Sequence, residues 1–320
     1  MNDALLHPRI CGIANGINFG YSPHSMTTKI DSHEFPPSNH VQPIIGIQTP
    51  RTRALNVGYI KKNGKNQSFV PCRLNLGALR EKDTYDATVQ TLLLPKVQKI
   101  LKRYTPNDIS TVTILRESIA LGLPTALYDA GIRTHYGDCY IGANHIKTKT
   151  SIITNYAYEN IEGLNPQGLW VVGDSIAEGR NLIATMSSLL PRFHPKEILM
   201  IVPIGNRLGI NNVGKIFNDH GIPATFIVWG ALFGLEPTMH YDEPWGLPDC
   251  EPIDRRDQKT FIDMYGPGLC VGGDFGNDYY CPPVALKLYK DQLRDQKITP
   301  KIPSVSQILK IYTKDELIIR

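Results

Sequence analysis

The chain reads as an α/β protein: a parallel sheet flanked by helices, with an N-terminal extension and a small hood or insertion. Three observations predict this. From Thr111 to Trp229, apolar runs of strand length alternate with segments of helical periodicity. The run Leu169–Val172 ends at Gly173-Asp174, passes a glycine-bearing turn and restarts as a helical pattern, which is the strand-loop-helix form of an α/β unit. At 320 residues and 42% hydrophobic content, the chain has enough apolar material for one large core or two smaller ones.

In chain order, residues 1–70 are rich in Gly, Pro, Ser and His and read as an extension or added lobe. They hold strand candidates at Pro43–Ile47 and Ala54–Ile60, with a turn at Lys61–Asn66. Residues 71–282 form the core. A helix is expected over Asp83–Arg103, where Leu92, Leu93, Val97, Ile100 and Leu101 recur at helical spacing, Asp83-Thr84 supplies a cap and Thr105-Pro106 a stop. Strands are expected at Thr111–Leu115, Cys139–Ala143, Ser151–Asn155, Leu169–Val172, Ile198–Pro203 and Ala224–Trp229. Helices are expected between them at Ile119–Ala130, Asn181–Leu190 and Asn212–Asp219. Such alternation places ligands at the carboxyl ends of the strands. Residues 234–265 interrupt the rhythm with an aromatic, proline-rich stretch too long for a routine connection, which reads as a lid or an oligomer contact. Residues 283–320 form a C-terminal extension.

Net charge is +4 and the charges are dispersed, so no polybasic arm or stripe points to nucleic acid. No apolar run approaches membrane-spanning length and the first residues do not resemble a secretory leader, so a cytoplasmic protein without a membrane partner is expected. The six cysteines are widely spaced with no Cys-x-x-Cys, the pattern of reduced thiols. His240, Asp242 and Cys250 lack the tight spacing of a metal site and read as packing or surface residues.

Function concentrates at the turn after Val172. Backbone N–H groups of such a loop and the start of the next helix present partial positive charge to a ligand, while an acid at the strand end accepts sugar hydroxyls. Gly173-Asp174-Ser175-Ile176 followed by Glu178-Gly179 resembles the nucleophile block of the GDSL hydrolases, with Ser175 as the attacking group. That family takes its base from a late Asp-x-x-His, and neither His194, His220 nor His240 has an Asp three residues before it. The same stretch, Val171 to Asn181, resembles the 5-phosphoribosyl-1-pyrophosphate (PRPP) motif of the type I phosphoribosyltransferases. Further collinear matches resemble their uracil phosphoribosyltransferase branch: Leu79-Arg80-Glu81-Lys82-Asp83-Thr84, Thr113-Ile114-Leu115-Arg116-Glu117-Ser118, Tyr140-Ile141-Gly142-Ala143, and Gly266-Pro267-Gly268-Leu269 followed by Gly272-Gly273-Asp274-Phe275-Gly276-Asn277-Asp278-Tyr279-Tyr280. The resemblance spans roughly residues 75 to 282.

The resemblance implies ribosyl or phosphoribosyl transfer from a PRPP-like donor to a nucleobase-like or other small planar acceptor. Asp174 and Arg116 would be catalytic, Asp174 accepting from the ribose diol and Arg116 holding the leaving group bidentately. The donor would be bound by Arg80, Lys82 and the loop Asp174, Ser175, Ile176, Ala177, Glu178, Gly179, Arg180 and Asn181. The acceptor would meet Leu269, Gly273, Asp274, Phe275, Gly276 and Tyr279. Mg²⁺ is the implied cofactor, with Asp274 a candidate ligand, and a homodimer the implied assembly. Other roles remain open: a helix cap for Asp174, a surface ion pair for Arg116, ordinary turn-forming for Asp274, strand-edge packing for Tyr279.

The motif also departs from the family. Glu178, Arg180 and Asn181 stand where hydroxyl residues and a glycine are usual, and Gly173 replaces the first acid of a pair. Either Arg180 neutralises Glu178 beside a phosphate, or the sugar carries no 5′-phosphate and Glu178 reads a free hydroxyl. A nucleotide- or PRPP-binding regulator without turnover, and a hydrolase of N-glycosidic bonds or esters, are the alternative readings.

Overall fold

The computed structural model describes residues 30–36, 43–63, 66–72, 77–115, 117–132, 138–147, 152–235 and 244–268, together with Arg294 and Lys297. In chain order the elements are β1 (Asp31–Phe35), β2 (Ile44–Gln48), α1 (Pro50–Asn56), β3 (Gly58–Asn63), β4 (Asn66–Pro71), α2 (Gly77–Leu92), α3 (Pro95–Leu101), β5 (Ile109–Leu115), α4 (Leu123–Asp129), β6 (Asp138–Lys147) and β7 (Ile152–Asn160). They continue with β8 (Leu169–Gly173), α5 (Arg180–Leu189), β9 (Glu197–Val202), β10 (Gly205–Asn206), α6 (Arg207–Asp219), β11 (Ala224–Trp229), β12 (Ala231–Phe233), β13 (Glu251–Pro252) and α7 (Arg255–Tyr265).

An eight-stranded sheet in the order β1-β2-β11-β9-β8-β5-β6-β7 carries the fold. Its six inner strands are parallel, and the edge strands β1 and β7 run antiparallel to their neighbours. The parallel α/β expectation is met. The strands read as unbroken apolar runs because both faces are covered, and successive residues belong to different cores. Val112, Ile114, Trp170, Val172, Met200 and Val228 pack with Leu182, Met186, Val213 and Phe217 of α5 and α6 on one face. Val171, Leu199, Ile201, Ile227 and Trp229 pack with Ala87, Val97, Leu101, Leu123 and Leu127 of α2 to α4 on the other.

The chain leaves β5 for β6 on one side, returns through β7, and crosses to β8 on the other side of β5 before winding outward to β9 and β11. Strand order therefore reverses between β5 and β8. That is the position where open α/β sheets leave a crevice beyond the strand ends.

Several local expectations are corrected. The helix expected over Asp83–Arg103 is two helices, α2 and α3, because Pro95 forces Leu94 out of the helical region (φ −64°, ψ 138°). Its start is Gly77, and Asp83 and Thr84 lie buried inside α2 rather than capping it. The strand expected over Ala54–Ile60 begins only at Gly58, because Thr49 and Thr52 form a capping box and Pro50 opens α1 ahead of it. The Lys61–Asn66 turn is narrower than expected, since β3 runs to Asn63 and β4 starts at Asn66. Ile119–Ala130 is a 3-10 turn, Glu117–Leu121, and α4, separated by Gly122 at φ +53°. The helix expected from Asn212 starts one and a half turns earlier at Arg207, capped by Asn206, whose side chain accepts from Leu208 N. Within the first 70 residues, β2 is an inner strand of the main sheet, paired along β11.

Among the described residues, Cys139 and Cys250 are free thiols, and no helix is long and apolar enough to cross a membrane.

Candidate functional site

β8 delivers Asp174 to the reversal point, and the acid is buried at 6% exposure. The loop that follows is fastened along its length to the neighbouring β9–α6 connection. Asp174 N donates to Ile201 O (3.2 Å) and Ile176 N to Ile204 O (2.9 Å), while Asn206 N donates to Ile176 O (2.8 Å). Asn212 Nδ2 reaches Glu178 O at 3.2 Å. Ile176 is itself fully buried, so the loop is pinned by its apolar side chain as well as its backbone. A turn held this way has its geometry set before any ligand arrives, which is what positional catalysis or tight recognition needs.

Two glycines make the fastening possible. Gly179, the N-cap of α5, adopts φ +83°, and a Cβ there would stand 2.7 Å from Val213 Cγ2 and 3.0 Å from Gly209 O. Gly209 of α6 faces the carbonyl of Ala177 so closely that a Cβ would meet it at 2.0 Å. Close approach of α6 to the loop thus requires glycine on both sides.

α5 begins with no side-chain cap, leaving its positive dipole end without a capping side chain. Beside it, Arg180 Nε forms an ion pair with Glu178 Oε2, with side-chain exposures of 39% and 22%. The Oδ1 of Asn181 and the Oγ1 of Thr185, one turn apart on α5, are buried without a hydrogen-bond partner among the described residues.

Gly173 explains the missing first acid of the motif. A Cβ there would lie 2.4 Å from Leu121 Cδ1 and 3.2 Å from Leu123 Cδ1. The Ser118 hydroxyl of the 3-10 turn after β5 donates to Gly173 O, so that turn is locked onto the strand end. There is no room for a carboxylate, and the position is closed by packing from the opposite core.

The sequence-predicted residues fall in three places. Asp174, Ser175, Ile176, Ala177, Glu178, Gly179, Arg180 and Asn181 form the β8–α5 loop and the first turn of α5. Arg80 lies within α2, fully buried, with Nη1 donating to Leu55 O (3.1 Å). Lys82, one turn-face away, is half exposed and holds Asp86 at 2.6 Å. Arg116 follows β5 directly but, like Leu269, Gly273, Asp274, Phe275, Gly276 and Tyr279, lies outside the described residues. Sequence reasoning missed Ser118, Gly209 and Asn212, the residues that shape the loop from neighbouring elements. Their signal was weak, since each is an ordinary polar or small residue until its distant partner is known.

The segment after the 234–235 strand exit is built into the fold where it is described. Trp245 and Phe261 are fully buried, Trp245 Nε1 donates to Asn56 O (2.8 Å), and its ring meets Phe233 edge-on at 4.8 Å. Asp257 of α7 accepts from Arg53 Nε (2.9 Å) and Gln48 Nε2 (2.8 Å), tying α7 to β2 and α1.

Among the described residues no group of three or more His, Cys, Asp or Glu side chains converges, and Gly173 admits no second acid beside Asp174. Asp274, the candidate Mg²⁺ ligand, lies outside the described residues, and Mg²⁺ is commonly held by one or two carboxylates together with substrate phosphates.

Of the histidines of the hydrolase reading, His240 lies outside the described residues, and the two described ones are not at this edge. His194 N donates to Pro166 O ahead of β8, and His220 closes the far end of α6. Both lie at the opposite end of the strands from Ser175, a strand length of roughly 17 Å away.

Fold and site together define an α/β protein with a fastened loop at a topological switch point. No protein-family model matches the chain, and no curated protein matches it. Among solved structures it is similar to the AQ2163 protein of Aquifex aeolicus, at 15% identity over 45% of this chain and 81% of that one, with a TM-score of 0.31. It is also similar to adenine phosphoribosyl transferase of Trypanosoma brucei in complex with AMP, pyrophosphate and ribose-5-phosphate (11% identity, 57% and 83% covered, TM-score 0.33). A third is orotate phosphoribosyltransferase of Aeropyrum pernix (14% identity, 56% and 90% covered, TM-score 0.32).

Proposed function

We propose that the chain transfers a ribosyl or phosphoribosyl group from a PRPP-like donor to a nucleobase-like or other small planar acceptor. The observation that carries this reading is the buried Asp174 at the β8 end, set on a fastened loop that opens into an uncapped α5 at the switch point. A carboxylate there accepts from the two hydroxyls of a pentose, and the α5 dipole favours electron-rich oxygen beside it.

The reaction is substitution at the anomeric carbon. The bond from that carbon to the leaving-group oxygen breaks, its electron pair departing with the oxygen, and a bond to an acceptor nitrogen forms as that nitrogen passes its proton to the departing leaving group or to solvent. Charge on the ring is greatest midway. Asp174 stabilises it electrostatically while fixing the sugar, and Arg116 neutralises the departing oxygens. Leu269, Gly273, Asp274, Phe275, Gly276 and Tyr279 are the proposed acceptor contacts, and Arg80 and Lys82 complete the donor side in the family-derived assignment. The reading includes a homodimer, checked by light scattering.

The test is product formation from PRPP, or from ribose 1-phosphate, with a panel of purine and pyrimidine bases, read by chromatography. Asp174→Asn should lower turnover at least about 100-fold with little change in stability. Product formation unchanged in that variant would overturn the assignment. A second reading, ligand binding without turnover, is favoured by the closed position at Gly173; binding by a wild-type protein that forms no product with any of these pairs would select it.

A further inference from the structure

We infer that Glu178 makes this site selective for a pentose whose C5 end is a free hydroxyl, so that nucleosides or unphosphorylated pentosyl donors, not 5′-phosphorylated ones, are its substrate class. The inference rests on the proposed transfer reading and sharpens it.

Three observations converge. The segment from Asp174 to Asn181 carries two carboxylates against one guanidinium. That guanidinium, on Arg180, is already engaged by Glu178 in an ion pair that is only partly exposed. An arriving phosphate dianion would have to compete with Glu178 for Arg180 while sitting beside two carboxylates, and like charges at such range repel strongly where water is partly excluded.

The loop cannot easily move Glu178 aside. Its carbonyl is held by Asn212 Nδ2, and the next residue, Gly179, is wedged against Val213 and Gly209. The backbone of Glu178 is therefore fixed at the start of α5, and its carboxylate is held there by Arg180.

The remaining hydrogen-bond need at that helix start is also for a donor. Asn181 Oδ1 is buried without a partner among the described residues. Phosphate oxygens at neutral pH mainly accept and leave a carbonyl oxygen unsatisfied, whereas a hydroxyl donates to it or to the Glu178 carboxylate.

The experiment is calorimetric titration of the full chain with two matched pairs, uridine against uridine 5′-monophosphate and adenosine against adenosine 5′-monophosphate. The expected result is that at least one nucleoside binds about tenfold or more tightly than its monophosphate. Glu178→Gln should cut that ratio to about threefold or less, and Glu178→Ser serves as a second variant if the first is poorly folded. Tighter binding of the monophosphates to the wild type overturns the inference and leaves ribosyl transfer standing. An unchanged ratio in both folded variants overturns the role of Glu178. Absence of binding by all four ligands overturns the inference and the transfer reading together.

Discussion

Replacing Gly173 should show that the strand end is closed to any side chain, and the size of the effect follows from the geometry. A Cβ would stand 2.4 Å from Leu121 Cδ1, more than an ångström inside ordinary carbon contact, and Leu121 is 1% exposed with no room to swing away. Overpacking of this kind costs about 1–3 kcal/mol. Alanine recovers roughly 0.5–1 kcal/mol through lower chain entropy, so Gly173→Ala should lose about 1–2 kcal/mol net. Gly173→Asp, which restores the acid of the motif, adds a carboxylate without a partner and should lose about 3–5 kcal/mol. Urea denaturation of Gly173→Ala, Leu121→Ala and the double variant checks the cause. Leu121→Ala alone should cost about 2–5 kcal/mol, and the double variant should be more stable than the sum of the two losses by about 1 kcal/mol or more. Strict additivity, or a Gly173→Asp protein as stable as the wild type, would refute the packing explanation.

Other consequences are equally direct. Gly179→Ala should lose about 2–4 kcal/mol, combining the left-handed backbone with the Val213 contact, and should weaken nucleoside binding; a neutral effect in denaturation would contradict the required positive φ. Asp257→Ala, which among the described residues leaves Arg53 with only the longer Asp31 contact and Gln48 Nε2 with only Asn56, should lose about 1.5–3 kcal/mol, whereas Arg53→Met combined with Asp257→Ala should lose less than the two single changes together. Burial, reinforced by the negative charge of Asp138, pushes the Cys139 thiol up to about 12, and burial does the same for Cys250. A raised folded value means that the stability from keeping these thiols neutral is complete below the ordinary thiol range and is lost as pH climbs toward 12. Native protein at pH 8 should therefore resist iodoacetamide at both cysteines, with labelling appearing only on unfolding; labelling of the native state at the rate of a free thiol would count against it.

The strands of the sheet were legible because coverage on both faces leaves them apolar at nearly every position, as in Leu169–Val172 and Ala224–Trp229. Helix ends were less so. Pro95 splits the long helix through the conformation it imposes on Leu94, a local rule that the run of Val97, Ile100 and Leu101 at helical spacing concealed. α1 was hidden altogether, because seven residues give too little periodicity and part of its support, the Arg53–Asp257 pair, comes from 204 residues away. At the site, the sequence showed the strand, the acid, the turn and the helix in their right order, but not that α5 begins without a side-chain cap. It also showed that Gly173 replaces an acid, but the reason, Leu121 pressed against it from the other core, exists only once β5 and β8 are neighbours. Glu178 and Arg180, two residues apart, form an ion pair that the sequence alone did not distinguish from separate ligand contacts.

The central claim, that the turn after β8 is a pentose site, is met most directly by a crystal structure with uridine or adenosine bound. The ribose diol should lie about 3 Å from the Asp174 carboxylate, with the C5 hydroxyl toward Glu178 and the start of α5. A nucleoside bound away from the β5–β8 crevice, or with its base rather than its sugar against Asp174, would contradict it.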